Sequence, residues 1–142
     1  MISLDFTKDF LIFPFAYEHT VARVFLHKND QGAEQPIAFY NKVLRDAPLK
    51  YNIMEKHAYA LIKALKEFRV YILHSHTIAY VPSSAIKEIL TQSKPEGRIA
   101  KWIAIFLEYD LEIKPTKMIK GQSLAKMMAE SNSDVLGINF LD

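Results

Sequence analysis

The residues in this chain with chemistry to offer are a few histidines and serines and a late series of cations. His74 and His76 stand one residue apart, a spacing at which two imidazoles can share a zinc ion. No third ligand lies near them, and a helix-ending turn accounts for the pair equally well. His57 falls inside a long helical pattern and is a candidate general base, yet no acid stands at partner spacing, so a packed or half-buried histidine is the simpler reading. Ser83 and Ser84 come just before a short helix, where hydroxyls cap free backbone N–H groups. No Gly-x-Ser-x-Gly elbow surrounds them, which argues against nucleophilic catalysis. Arg98, Lys101, Lys114, Lys117 and Lys120 are candidates for gripping phosphate. Residues 94–126 carry a net charge of +3, against −2 for residues 1–35. The competing explanation is lysines solvating an exposed loop.

These side chains must be positioned by elements that the apolar pattern makes visible. Phe10–Ala16 reads as a buried strand and Val21–His27 as its hairpin partner. Asn29-Asp30-Gln31-Gly32 supplies a turn into a third strand, Pro36–Val43. Asn52 and Glu55 have capping-box spacing. Met54, Ala58, Leu61, Ile62, Leu65 and Ile72 then recur on one face of a helix predicted over Ile53–Leu73, with Lys56, Lys63, Lys66 and Glu67 off that face. Thr77–Val81 is a fourth strand, Ala85–Thr91 a short helix, and Leu111–Lys114 a last strand. Between these last two lies an amphipathic helix marked by Ile99, Trp102, Ile103 and Phe106, with Trp102 in the core. Gly121-Gln122-Ser123 opens a final helix, Leu124–Glu130. Three hairpin strands followed by helix-separated strands imply an α/β domain with a mixed five-stranded sheet and helices packed on it.

Length and composition set the outer bounds. The 142 residues include no cysteine, which excludes disulfides and thiolate metal sites and fits an intracellular, reducing setting. No apolar run approaches the 18 to 20 residues of a membrane span, and no signal-peptide pattern opens the chain. Residues 1–130 are expected to form one domain, with 131–142 a tail or linker.

Certain words within this order are more specific than the order itself. They are Pro36–Leu44 (PIAFYNKVL), Tyr51–Lys56 (YNIMEK), Ala60–Leu65 (ALIKAL) with Phe68–Ile72 (FRVYI), Gly97–Trp102 (GRIAKW), Leu107–Pro115 (LEYDLEIKP) and Lys120–Ala125 (KGQSLA). Together they resemble the ribonuclease H domain that follows the polymerase in gypsy-type LTR retrotransposon polyproteins. Tyr17-Glu18-His19 and the ending Leu124–Glu130 bring plant elements closest. The resemblance runs from about Leu4 to Glu130 and implies a ribonuclease H-like fold. Active members of that family hydrolyse the RNA strand of RNA–DNA hybrids with two divalent ions, which require a cluster of carboxylates.

Carried onto this chain, the four carboxylate positions become Phe15 in the first strand, His57 in the long helix, Ser83 after the fourth strand and Lys126 in the last helix. None is an acid, and Lys126 would place a cation where the metals belong. Rebuilding a site from Glu18, Glu55 and Glu130 would need several offsets at once. The resemblance therefore implies a non-catalytic module with no metal cofactor, which packs against neighbouring reverse transcriptase domains and can touch the hybrid backbone. Two alternatives stand beside it: an active, magnesium- or manganese-dependent nuclease with displaced carboxylates, and a nucleic-acid-binding module using the basic C-terminal half.

Overall fold

A computed structural model describes residues 7–115. Its strands are β1 (Phe10–Ala16), β2 (Thr20–Lys28), β3 (Glu34–Val43), β4 (Thr77–Val81) and β5 (Leu111–Pro115). They form one sheet in the order β3-β2-β1-β4-β5. The meander β1–β2–β3 is antiparallel, whereas β4 runs parallel to both β1 and β5. This is the mixed five-stranded sheet expected from the sequence. The expected helix at Leu124–Glu130 and the tail 131–142 lie outside the described residues.

β1 is central and carries Phe10, Leu11, Ile12 and Phe13 fully buried. Its parallel pairing to β4 ends at Ile12, opposite Ala79. Pro14 therefore falls where that ladder has stopped, and its missing N–H costs no bond to β4. The two strands are free to part at their C-terminal ends, a common position for sites in sheets with parallel strands.

The long helix predicted over 53–73 is two pieces, α1 (Ile53–Glu67) and α2 (Arg69–Ile72). Phe68 interrupts them at φ −102°, ψ 11°. Its ring stacks on Phe25 at 4.2 Å, and Phe25 in turn stacks on Phe10 at 5.3 Å. Aromatic stacking of this kind adds about 0.5–1.5 kcal/mol to the burial. A hydrophobic pattern that continues through the break cannot reveal it.

α1 starts as the sequence indicates. The Asn52 side chain accepts the Glu55 N–H at 2.9 Å, and the Glu55 carboxylate reaches back to the Asn52 N–H at 3.4 Å. Asn52→Ala removes this cap and should cost about 1 kcal/mol in a urea melt; an unchanged midpoint would show that the box contributes nothing.

α1, α3 (Ser84–Leu90) and α4 (Gly97–Phe106) gather over one cluster of buried residues, among them Phe10, Ile12, Phe25, Leu61, Leu65, Ile86 and Trp102. Trp102 is core, as its spacing indicates. Leu11, Phe13, Ala22, Val24, Leu26 and Ile78 form a separate cluster, since alternate strand residues face opposite sides of the sheet. A 3-10 helix at Ala47–Lys50, absent from the sequence reading, links β3 to α1. It follows Asp46 at φ 56°, ψ −136°, a backbone conformation that costs a non-glycine residue about 1–3 kcal/mol.

Candidate functional site

The mouth where β1 parts from β4 holds two of the four positions that the resemblance aligns with metal-binding carboxylates. Phe15 and His57 meet there, ring centroids 4.9 Å apart and planes at 72°. Phe15 is only half-buried. It lines an open depression of about 490 Å³ with Tyr17, Glu18, Ile53, Lys56 and His57, so within a strand read as buried Phe15 is a wall residue.

His57 is buried, and its Nδ1 accepts the Ala16 N–H at 2.9 Å. This bond fixes the neutral ring with its proton on Nε2. Burial lowers the pKa of His57 from 6.5 to about 4, because the apolar surroundings disfavour the charged ring. The imidazole thus clips the end of β1 to the first turns of α1. A general base needs an open lone pair at its working nitrogen; here Nδ1 is spent on the backbone.

Lys56 is a residue the sequence reading misplaced. Its helix position puts it off the apolar face, yet it is 8% exposed. Nζ donates to the Glu18 carbonyl oxygen at 2.5 Å, tying the β1–β2 turn to α1. A long side chain can bury its stem while keeping one polar bond at its tip, a tertiary effect that helical spacing does not encode.

Ser83 caps α3, its hydroxyl accepting the Ala85 N–H at 3.1 Å. Lys126 lies outside the described residues. Of the described acids of the displaced-site alternative, Glu18 borders the depression and Glu55 does not. Glu55 faces Arg98 at 2.8 Å, the Glu18 side chain is 74% exposed, and Glu130 is outside the described residues. Two hard divalent ions need several anionic oxygens. Phe15, His57 and Ser83 supply one imidazole and one engaged hydroxyl, a donor set that does not fit them. Among the described residues, no group of three or more His, Cys, Asp or Glu side chains is placed to hold a metal ion.

The other candidates are dispersed. His76 lies between Asp110 at 3.2 Å and Glu112 at 3.5 Å, whereas His74 is exposed. Arg98 is occupied structurally: besides Glu55, its guanidinium lies 4.2 Å from the Tyr51 ring centroid and 5.9 Å from that of Trp102. Lys114 pairs with Glu112 at 3.5 Å. Lys101 is exposed, and Lys117 and Lys120 lie outside the described residues. No described helix is long and apolar enough to cross a membrane.

Strand order, crossover pattern and helix placement define a ribonuclease H-like domain. Among solved structures, the chain superposes on RNase H1 from the halophilic archaeon Halobacterium salinarum with a TM-score of 0.62, at 12% identity over 90% of this chain and 98% of that one. It superposes on the foamy viral protease-reverse transcriptase dRH in complex with ds DNA with a TM-score of 0.66, at 18% identity over 82% of this chain and 21% of that one. The chain belongs to the family of RNase H-like domains found in reverse transcriptase, whose model matches residues 5–109. The Tf2-3 transposon polyprotein of Schizosaccharomyces pombe is 29% identical over 113 residues, 77% of this chain. The chain spans only 8% of that polyprotein's length.

Proposed function

We propose that this chain is a non-catalytic ribonuclease H-like module of a retrotransposon reverse transcriptase polyprotein of the plant gypsy type. Residues 1–130 form the module and 131–142 a linker. It works inside the cell as a connection, packing against neighbouring reverse transcriptase domains and touching the backbone of the RNA–DNA hybrid. The observation that carries this reading is the contact between Phe15 and His57, with the Lys56 side chain buried beside it. Where the family's chemistry calls for anionic oxygens, this chain presents an aromatic wall, a neutral imidazole and a cation. Lys126, on the helix expected at Leu124–Glu130, would add a second cation. Membership in the family of RNase H-like domains found in reverse transcriptase, and the similarity to a foamy viral enzyme whose structure is of a complex with ds DNA, support the setting.

A cleavage assay tests the proposal. The 142-residue chain, incubated with a labelled RNA–DNA hybrid and magnesium or manganese, should give no product above a protein-free control. Metal-dependent turnover exceeding that control would overturn the reading, and calorimetric binding of either ion would point to the displaced-carboxylate alternative.

A further inference from the structure

The mouth where β1 parts from β4 does not suit metal ions, yet its walls suit a different guest. The depression of about 490 Å³ falls within the range of sites that enclose a small ligand or a side chain. Phe15 and Tyr17 are half-buried there, and Ile53, at the start of α1, is 44% exposed. Two charged residues line it, and neither invites an anion. The Lys56 side chain is buried and its ammonium is turned onto the Glu18 carbonyl oxygen. The Glu18 side chain is 74% exposed, and its carboxylate repels phosphate.

His57 supplies a hydrogen-bond donor to the wall. Its Nδ1 accepts the Ala16 N–H, so the ring proton sits on Nε2, which makes no hydrogen bond to a described residue. A largely apolar wall with an uncharged N–H matches a guest that is apolar apart from an acceptor. A peptide segment offers both, an apolar side chain next to a main-chain carbonyl.

We propose that the depression is a docking pocket for an uncharged peptide segment of a neighbouring reverse transcriptase domain. Its aromatic or aliphatic side chain rests against Phe15, Tyr17 and Ile53, while its main-chain carbonyl accepts the His57 Nε2 proton. The inference rests on the non-catalytic reading, but the two fail separately. Hybrid cleavage would remove that reading, whereas loss of peptide binding alone would remove only this one.

N-acetyl-phenylalanine amide, an uncharged aromatic probe with main-chain carbonyls, provides the test. Titrated into the isotope-labelled full chain at neutral pH, it should shift the amide signals of Phe15–Glu18 and Ile53–His57. Saturation is expected with a Kd on the order of 1 mM, usual for a guest this small. The His57 Nε2 resonance should move with them. The Kd should be the same at about 50 and 200 mM salt, because no charge is paired. Phe15→Ala should weaken binding about fivefold. Ile53→Ala, at a position exposed enough to spare the fold, should weaken it about threefold. Val70→Ala, at an 83% exposed residue outside the depression, should leave it unchanged. Uridine monophosphate at equal concentration should leave these signals in place. No shifts up to about 10 mM probe, a stationary Nε2 signal, equal shifts from uridine monophosphate, or full affinity in both Phe15→Ala and Ile53→Ala would each overturn the assignment.

Discussion

Acidification from pH 7 to pH 4 is expected to cost this domain up to about 3 kcal/mol through His57 alone. The unfolded chain takes up a proton at this imidazole near pH 6.5, whereas the folded chain resists until about pH 4. Between those values the unfolded state binds more protons, so stability rises with pH across the window. His57's contribution is fully present above pH 6.5 and is lost progressively as the pH falls toward 4. Protonation also removes the lone pair that accepts the Ala16 N–H at 2.9 Å, so the acid form loses the clip between β1 and α1. Urea denaturation of the parent chain and of His57→Gln, measured at several pH values, isolates the effect. Glutamine can accept the same N–H but does not titrate, and the difference between the two proteins cancels every other ionisable group. Parallel pH profiles would refute the assignment.

The second large effect concerns the clamp between β2 and α1. Arg23 donates from Nε and Nη2 to the two carboxylate oxygens of Glu67 at 2.9 and 2.6 Å. The Arg23 side chain is 3% exposed and that of Glu67 is 30% exposed. Taking two charges out of water is costly, and the pair gains it back only through this forked geometry. Glu67→Ala leaves a buried guanidinium without its acid, and Nη1 already lacks a hydrogen-bond partner among the described residues. A loss of about 3 kcal/mol is expected, the low end for breaking such pairs because Glu67 is partly solvated. That corresponds to a fall in Tm of about 10 °C for a domain of this size. The double variant Arg23→Met/Glu67→Leu should recover most of the loss, since an apolar pair leaves no charge stranded. If it melts as low as Glu67→Ala, shape rather than charge governs the site.

Much of this architecture was legible in the residues. β1 and β4 fall on the predicted spans because their apolar runs are short and bounded by turn residues, and α1 begins where Asn52 and Glu55 announce a capping box. The family words pointed to the fold, which periodicity by itself leaves open. What escaped notice has a common origin. The break at Phe68 depends on a ring stacked on Phe25, and the burial of Lys56 depends on the Glu18 carbonyl across a turn. The bond from Ala16 to His57 spans 41 residues of sequence. Each is a contact between segments far apart in the chain, and a local pattern holds no record of its partner. The partners of Arg98 escaped for the same reason, because the Tyr51 face and Glu55 carboxylate beside it arrive from another helix's cap.

The order β3-β2-β1-β4-β5 also governs how this chain can come to be folded. Until β4 is made and carried back across α1, β1 is the edge of a three-stranded meander, presenting seven residues, Phe10–Ala16, that are all apolar in the finished domain. Pairing Phe10 with Thr77 requires closing a long loop, the slow class of folding step. Meanwhile an unpaired apolar edge is a template for other chains. A protein truncated anywhere before Thr77 should therefore aggregate rather than fold, because its central strand would have become its border.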